Sequence, residues 1–210
     1  MMKRYKLLAA TFLTLAACSP SSAEKASAPV NVEDTKTAVF AGGCFWCVEA
    51  DFDKVDGVVE TISGFAGGHV DNPSYKQVTY TDTGHYEVVQ VRYNPAEVSY
   101  SELVEYFWRH VDPTDPGGQF CDRGDSYRTA IFASDEQELV VAERSKAKLS
   151  ESGILLEPVV TPIILDDQFW PAEAYHQDYY KKNPLRYRYY RTGCGRDRRV
   201  KEVWKNEATH

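Results

Sequence analysis

The spacing of apolar residues changes several times along this chain, and each change marks an element. Thr37 to Phe40 reads as a short buried strand, and Val48, Phe52 and Val55 then recur at helical spacing, so a helix begins at Cys44. Gly57 ends that unit. Val58 to Phe65 alternates like a strand, Ala66-Gly67-Gly68-His69 makes a flexible turn, and Asn72-Pro73-Ser74-Tyr75 makes another that presents a tyrosine. Tyr86 to Tyr93 carries the clearest strand pattern, with Val88, Val89 and Val91 inside it. Ser99 caps a helix through His110, with Glu102 completing a capping box and Leu103, Val104, Phe107 and Val111 on one face. Tyr127 to Ala133 is a further strand, Ser134 to about Ser150 a long helix, Pro158 to Leu165 a last strand and Ala172 to Lys182 a last helix. The order β-α-β-β-α-β followed by α-β-α predicts an α+β fold, a two-layer sandwich with a split βαβ (ferredoxin-like) core and helices on one face. Beyond Pro184 the pattern predicts an irregular C-terminal tail that leaves Cys194 free to swing.

The N-terminus departs from that picture. Met1-Met2-Lys3-Arg4-Tyr5-Lys6 is basic, Leu7 to Ala17 is apolar, and Cys18 follows, which reads as a signal peptide over residues 1–17. The apolar run is shorter than the about 20 residues a membrane-spanning helix needs. Leu15-Ala16-Ala17-Cys18 resembles the lipobox of bacterial lipoproteins, in which the cysteine becomes the acylated first residue; the alternative is an ordinary signal cut elsewhere. Residues 18–36, rich in Ser, Ala, Pro, Glu and Lys, read as a lipidated N-terminus and flexible linker, with a reach of roughly 23 Å. That leaves residues 37–210 as one domain. The expected location is exported, on the periplasmic side of a bacterial membrane and anchored through Cys18, with Ser19 resembling the outer-membrane sorting context.

Charge sharpens one point. The chain carries a net −7, yet between Tyr179 and Lys205 ten Lys or Arg stand against only Asp197 and Glu202. Interleaved tyrosines there could suggest nucleic-acid contact, for which an exported protein has little occasion. The expectation is a basic tail that pairs with the acidic body or faces anionic lipid, and no nucleic-acid partner.

Candidate chemistry centres on Ala41-Gly42-Gly43-Cys44-Phe45-Trp46-Cys47. A cysteine after two glycines and at a helix N-terminus meets unpaired N–H groups that favour negative charge, which predicts a lowered thiol pKa and a nucleophile near neutral pH. Cys47, Cys121 and Cys194 complete the domain's thiols. Two structural disulfides fit poorly, because a bridge between cysteines three apart closes almost no loop. Zinc fits poorly too, since a second close pair is missing, and neither a metal nor a cofactor is expected.

Six ordered stretches resemble the peptide methionine sulfoxide reductases of the A type, in an exported lipoprotein form. They are Gly43-Cys44-Phe45-Trp46; Asn72-Pro73-Ser74-Tyr75; Thr83-Gly84-His85-Tyr86-Glu87-Val88-Val89; Asp112-Pro113-Thr114; Asp122-Arg123-Gly124 with Tyr127-Arg128-Thr129-Ala130-Ile131-Phe132; and Pro171-Ala172-Glu173-Ala174-Tyr175-His176-Gln177. The resemblance implies Cys44 as nucleophile, Glu87 as proton donor, Tyr75 and Tyr127 as hydroxyl donors to the sulfoxide oxygen, Phe45 and Trp46 as the grip on the S-methyl group, and Asp122 as a polar anchor. His85 and His176 read as structural hydrogen bonders. It also implies that a second thiol condenses with the Cys44 sulfenic acid: Cys194 first, as a mobile C-terminal resolver, with Cys47 and Cys121 close behind and a relay among them open. Cys121 and Phe65 depart from the commoner asparagine and tyrosine of the family.

The activity so implied is thiol-dependent reduction of methionine S-sulfoxide, free or in proteins, repairing oxidised exported proteins with electrons from a thioredoxin-like reductant. The rival from the residues alone is a thiol–disulfide oxidoreductase using Cys44 and Cys47. That chemistry does not require Glu87, Tyr75 and Tyr127.

Overall fold

The structure, a computed structural model, describes residues 32–205. The signal peptide, Cys18 and most of the linker lie outside the described residues. β1 (Lys36–Gly42), β2 (Val58–Ala66), β3 (Tyr86–Tyr93), β6 (Thr129–Ala133), β7 (Ile163–Leu165) and β8 (Trp170–Pro171) form one sheet, and β4 (Gly118–Gln119) pairs with β5 (Asp122–Arg123) in a small ribbon. The helices are α1 (Phe45–Phe52), α2 (Tyr75–Tyr80), α3 (Tyr100–Arg109), α4 (Glu136–Glu151), α5 (Tyr179–Lys182), α6 (Pro184–Cys194) and α7 (Arg196–Trp204).

The strand order β7-β6-β1-β3-β2-β8 contains the split βαβ core: β1 lies between β6 and β3 and antiparallel to both, and β2 pairs with the outer side of β3. Period-2 alternation sets the two faces. Phe40 sits opposite Val89 and Ile131 in the register, and their side chains join Phe52, Leu103, Val104 and Phe107 in the main core under α1, α3 and α4. Ala41, Val88, Ala130 and Phe132 point the other way into a smaller cluster closed by Tyr86. The α+β sandwich is thus the one the pattern predicts.

Local signals explain most boundaries. The Ser99 capping box is formed with Glu102. Ser74 forms a second one with Gln77, so the turn expected at Asn72–Tyr75 runs on into α2. Only Ile163–Leu165 of the strand expected from Pro158 pairs, because Pro158 and Pro162 have no N–H to give and Val160 donates instead to the Pro113 carbonyl at 2.8 Å.

Two expectations are corrected. The segment from Ala172 is not a helix until Tyr179, because its polar groups are taken up by the edge of β2: Ala172 N–H donates to Ser63 O at 2.9 Å, and the Gln177 amide bridges Ser63 N and Ser63 O at 2.8 Å each. The tail beyond Pro184 is not irregular but two helices hinged at Gly195, which holds a left-handed φ of 72°. Arg196, Val200 and Trp204, four apart, bury one face of α7; Trp204 donates to Val111 O at 2.9 Å and Arg196 to Gly42 O at 2.9 Å. The basic tail pairs with the acidic body as expected, through Arg191 to Asp51 at 2.9 Å, Arg199 to Asp112 at 2.7 Å and Lys181 to Asp53 at 2.7 Å.

Candidate active site

Cys44 is the N-cap of α1, where β1 turns into the helix. Gly43 makes the turn at φ 83°, and a Cβ there would meet Gln119 Cβ at 2.6 Å, so both the conformation and the close approach require glycine. Glu87 lies on β3 opposite Phe65 and faces the helices. Its carboxylate accepts the Phe45 N–H at 3.0 Å, which places it at the first turn of α1 beside Cys44.

Glu87 is 2% exposed, and burial pushes its pKa up to about 8 against the pull of that amide. It is therefore neutral near pH 7. The Tyr127 hydroxyl is in hydrogen-bonding contact with both Glu87 and Tyr75. Burial raises both phenols, Tyr75 to about 12, so they remain donors.

The aromatic wall is continuous. Phe45 packs against Tyr75 at 6.1 Å, Phe65 at 6.0 Å and His176 at 5.0 Å between ring centres, while Trp46 stacks on Tyr179 at 3.8 Å. The Trp46 indole N–H donates to His176 Nδ1 at 3.1 Å, which fixes the ring's angle and gives His176 the structural role expected of it. Tyr75 N–H donates to Glu173 at 3.1 Å, tying α2 to the same loop. A cavity of about 460 Å³ opens beside Trp46, lined also by Tyr179, Leu185, Arg186, Tyr189 and Tyr190. Another, of about 660 Å³ along β2 by Thr61, Gln177 and Lys181, touches none of the expected site residues.

The thiols divide into two pairs. Cys44 and Cys47 are free, buried and hydrogen-bonded to each other, whereas Cys121 and Cys194 form a disulfide at the end of α6. Cys194 is therefore held rather than swinging. The lowered thiol expected at Cys44 is found one turn further on: burial, the Cys47 contact and the Glu87 charge push Cys44 up, while the hydrogen bond from Cys44 and the charges of Arg196 and Arg191 lower Cys47. The helix-terminus argument fails because the Phe45 amide is given to Glu87, and Cys44 is 7% exposed.

The structure brings Cys44, Phe45, Trp46, Tyr75, Glu87, Asp122 and Tyr127 to one site. It adds Tyr190, whose hydroxyl donates to Asp122 and lies in hydrogen-bonding contact with Cys44. It also adds Arg191, 2.9 Å from Asp51, and Arg196, both of which bear on Cys47. The signal for these was present, since Tyr187, Tyr190 and Arg191 stand at helical spacing.

Fold and site together define a thiol-based redox protein with a buried carboxylic acid beside a free, buried thiol. Residues 36–208 match the peptide methionine sulfoxide reductase family. Over 180 residues the chain is 52% identical to peptide methionine sulfoxide reductase MsrA 2 of Rhizobium meliloti, covering 86% of this chain and 89% of that one. Over 172 residues it is 49% identical to MsrA of Bacillus subtilis, covering 82% and 97%. Peptide methionine sulfoxide reductase MsrA/MsrB of Vibrio cholerae is 47% identical over 198 residues, and the chain spans 52% of that longer protein. Among solved structures, methionine sulfoxide reductase A of Corynebacterium diphtheriae superposes with a TM-score of 0.65 at 35% identity, over 72% of this chain and 76% of that one. The chain belongs to the peptide methionine sulfoxide reductase family.

Proposed function

We propose that this protein reduces methionine S-sulfoxide, free or in proteins, to methionine. The observation that carries this reading is the buried, neutral Glu87 set beside the Cys44 thiol and bonded to the Phe45 amide, with two tyrosine hydroxyls adjoining it. A sulfoxide oxygen leaves sulfur only once protonated, so a thiol nucleophile needs such an acid on its far side. Cys44 attacks the sulfoxide sulfur as Glu87 protonates the oxygen, with Tyr75 and Tyr127 holding that oxygen and Phe45 and Trp46 enclosing the methyl group. The bond so formed between Cys44 and the substrate sulfur then breaks together with the substrate S–O bond as the oxygen passes to Cys44 as a sulfenic acid, and methionine leaves with the electron pair on its sulfur. The Cys44 proton replaces the one Glu87 gave.

Cys47, already in contact with Cys44, attacks the sulfenic acid and releases water, forming a Cys44–Cys47 disulfide. Cys194 then attacks that disulfide and Cys121 displaces it, so two thiols are regenerated inside and the oxidation ends as Cys121–Cys194 at the surface. A thioredoxin-like reductant returns two electrons and two protons there. The N-terminal pattern supports an exported enzyme tethered through an acylated Cys18 to the outer membrane; a Cys18→Ala protein that still pellets with membranes argues against the anchor.

The test is turnover of separated S and R methionine sulfoxides with a small dithiol. The S form alone should react, and Cys44→Ser should abolish it. Glu87→Gln should lose sulfoxide reduction while keeping disulfide exchange; equal loss of both favours the thiol–disulfide oxidoreductase instead.

A further inference from the structure

α6 lies across the mouth of the site yet is scarcely embedded in it. None of its residues is buried, Leu185 and Tyr189 are 79% and 84% exposed, and the cavity beside Trp46 runs beneath them. Its attachments include Arg191 to Asp51 at 2.9 Å and to the Cys47 carbonyl at 3.5 Å, the ring contact of Tyr187 with Tyr180, Cys194 to Cys121, and Tyr190 to the catalytic groups. The last is the most specific. The Tyr190 hydroxyl donates to Asp122, reaches the Cys44 sulfur, and its ring meets Trp46 edge-on at 5.9 Å.

We propose that Tyr190 caps the catalytic sulfur and that the Cys121–Cys194 disulfide holds the cap shut, so that the oxidised enzyme excludes methionine sulfoxide until that disulfide is reduced. The space bounded by Cys44, Asp122 and Trp46 is the space the substrate needs, and a tyrosine hydroxyl and ring fill it with the same pairing of polar tip and apolar body. The disulfide joins the last residue of α6, one turn beyond Tyr190, to the residue preceding Asp122, so the cap cannot leave its partner while the bond stands. Gly193 has open space around it and Gly195 is the left-handed hinge to the anchored α7, so the released helix has a place to swing from. A dithiol such as dithiothreitol gives two electrons and two protons to the disulfide, leaving two thiols and its own cyclic disulfide. When the bond re-forms after turnover, Tyr190 returns over the Cys44 sulfur that methionine has already left. The inference rests on Cys44 being the nucleophile proposed above.

The test uses no sulfoxide, which separates it from that proposal. The full chain is treated with iodoacetamide, once with the surface disulfide intact and once after reduction and removal of dithiothreitol, and alkylation of the Cys44 peptide is followed by mass spectrometry. Cys44 should react about tenfold or more slowly in the disulfide form. Tyr190→Ala should remove the difference with the disulfide still closed. Equal rates for the unaltered chain in the two redox states overturn the proposal, as does a Tyr190→Ala protein that stays as slow as the parent. Failure of sulfoxide turnover in the separate assay would count against the reaction and leave the cap measured.

Discussion

Cys44 and Cys47 sit at 7% and 2% exposure as free thiols on the first turn of a helix, whereas Cys121 is exposed and joined to Cys194 at the end of another. The inner pair is governed by its surroundings: burial, Cys47 and Glu87 raise Cys44, while the contact with Cys44 and then two arginines lower Cys47. The outer pair is governed by access. Sulfoxide chemistry needs a dry site with a neutral acid, and a protein reductant needs an exposed sulfur. One pair cannot meet both demands, and under the proposed relay this chain divides them between two pairs.

The comparison breaks first at Cys44. Cys44→Ser should lower sulfoxide turnover by about a thousandfold or more, whereas Cys121→Ser should leave the first turnover intact and slow only later ones with a protein reductant. Rapid-quench counting of methionine formed per enzyme separates the two. Next comes the acid: Glu87→Gln should cost on the order of a hundredfold to ten-thousandfold. On the proposed mechanism the neutral carboxyl is the active form, and burial raises its pKa to about 8, so parent activity should be full below that pH and fall above it, a fall the variant lacks.

The two C-terminal helices offer the same contrast in stability. Trp204→Ala in α7 removes a fully buried ring and should cost about 3–5 kcal/mol in urea unfolding. Leu185→Ala in α6, 79% exposed, should stay within about 0.5 kcal/mol. A contrast in pH dependence is expected at Glu49, whose buried carboxyl is raised from 4.5 to about 7. Its neutral form is favoured in the fold, so its contribution is present below about 4.5 and lost as pH rises through about 7; Glu49→Gln should flatten the stability curve over that window.

Much of this was legible in the chain. Ser99 with Glu102 announced its helix, and the same Ser-x-x-Gln pattern at Ser74 was equally available but read as a turn because Asn72 and Pro73 precede it. The i, i+4, i+8 stripe of Arg196, Val200 and Trp204 was hidden by an arginine in place of an apolar residue. An arginine counts as polar in any periodicity, and here it is 2% exposed because Gly42 O and His110 O accept its donors. Cys44, Phe45, Trp46, Tyr75, Glu87, Asp122 and Tyr127 were singled out through the family resemblance and lie together in the fold, whereas Tyr190 belongs to a segment whose chemistry depends on where it docks.

What the sequence by itself determined is what depends on near neighbours: strand alternation, helix caps, the glycine turn before Cys44, and the set of residues able to run the reaction. Tertiary structure decided the rest. Which cysteine meets which is set by segments 73 residues apart. Cys44 is raised by burial, Cys47 and Glu87, while Cys47 is lowered by its contact with Cys44 and by the arginines that α6 and α7 bring in. The reason is physical: local preferences act through hydrogen bonds and sterics within a turn or two, while desolvation and Coulomb terms depend on what the whole fold places within a few ångströms of the sulfur.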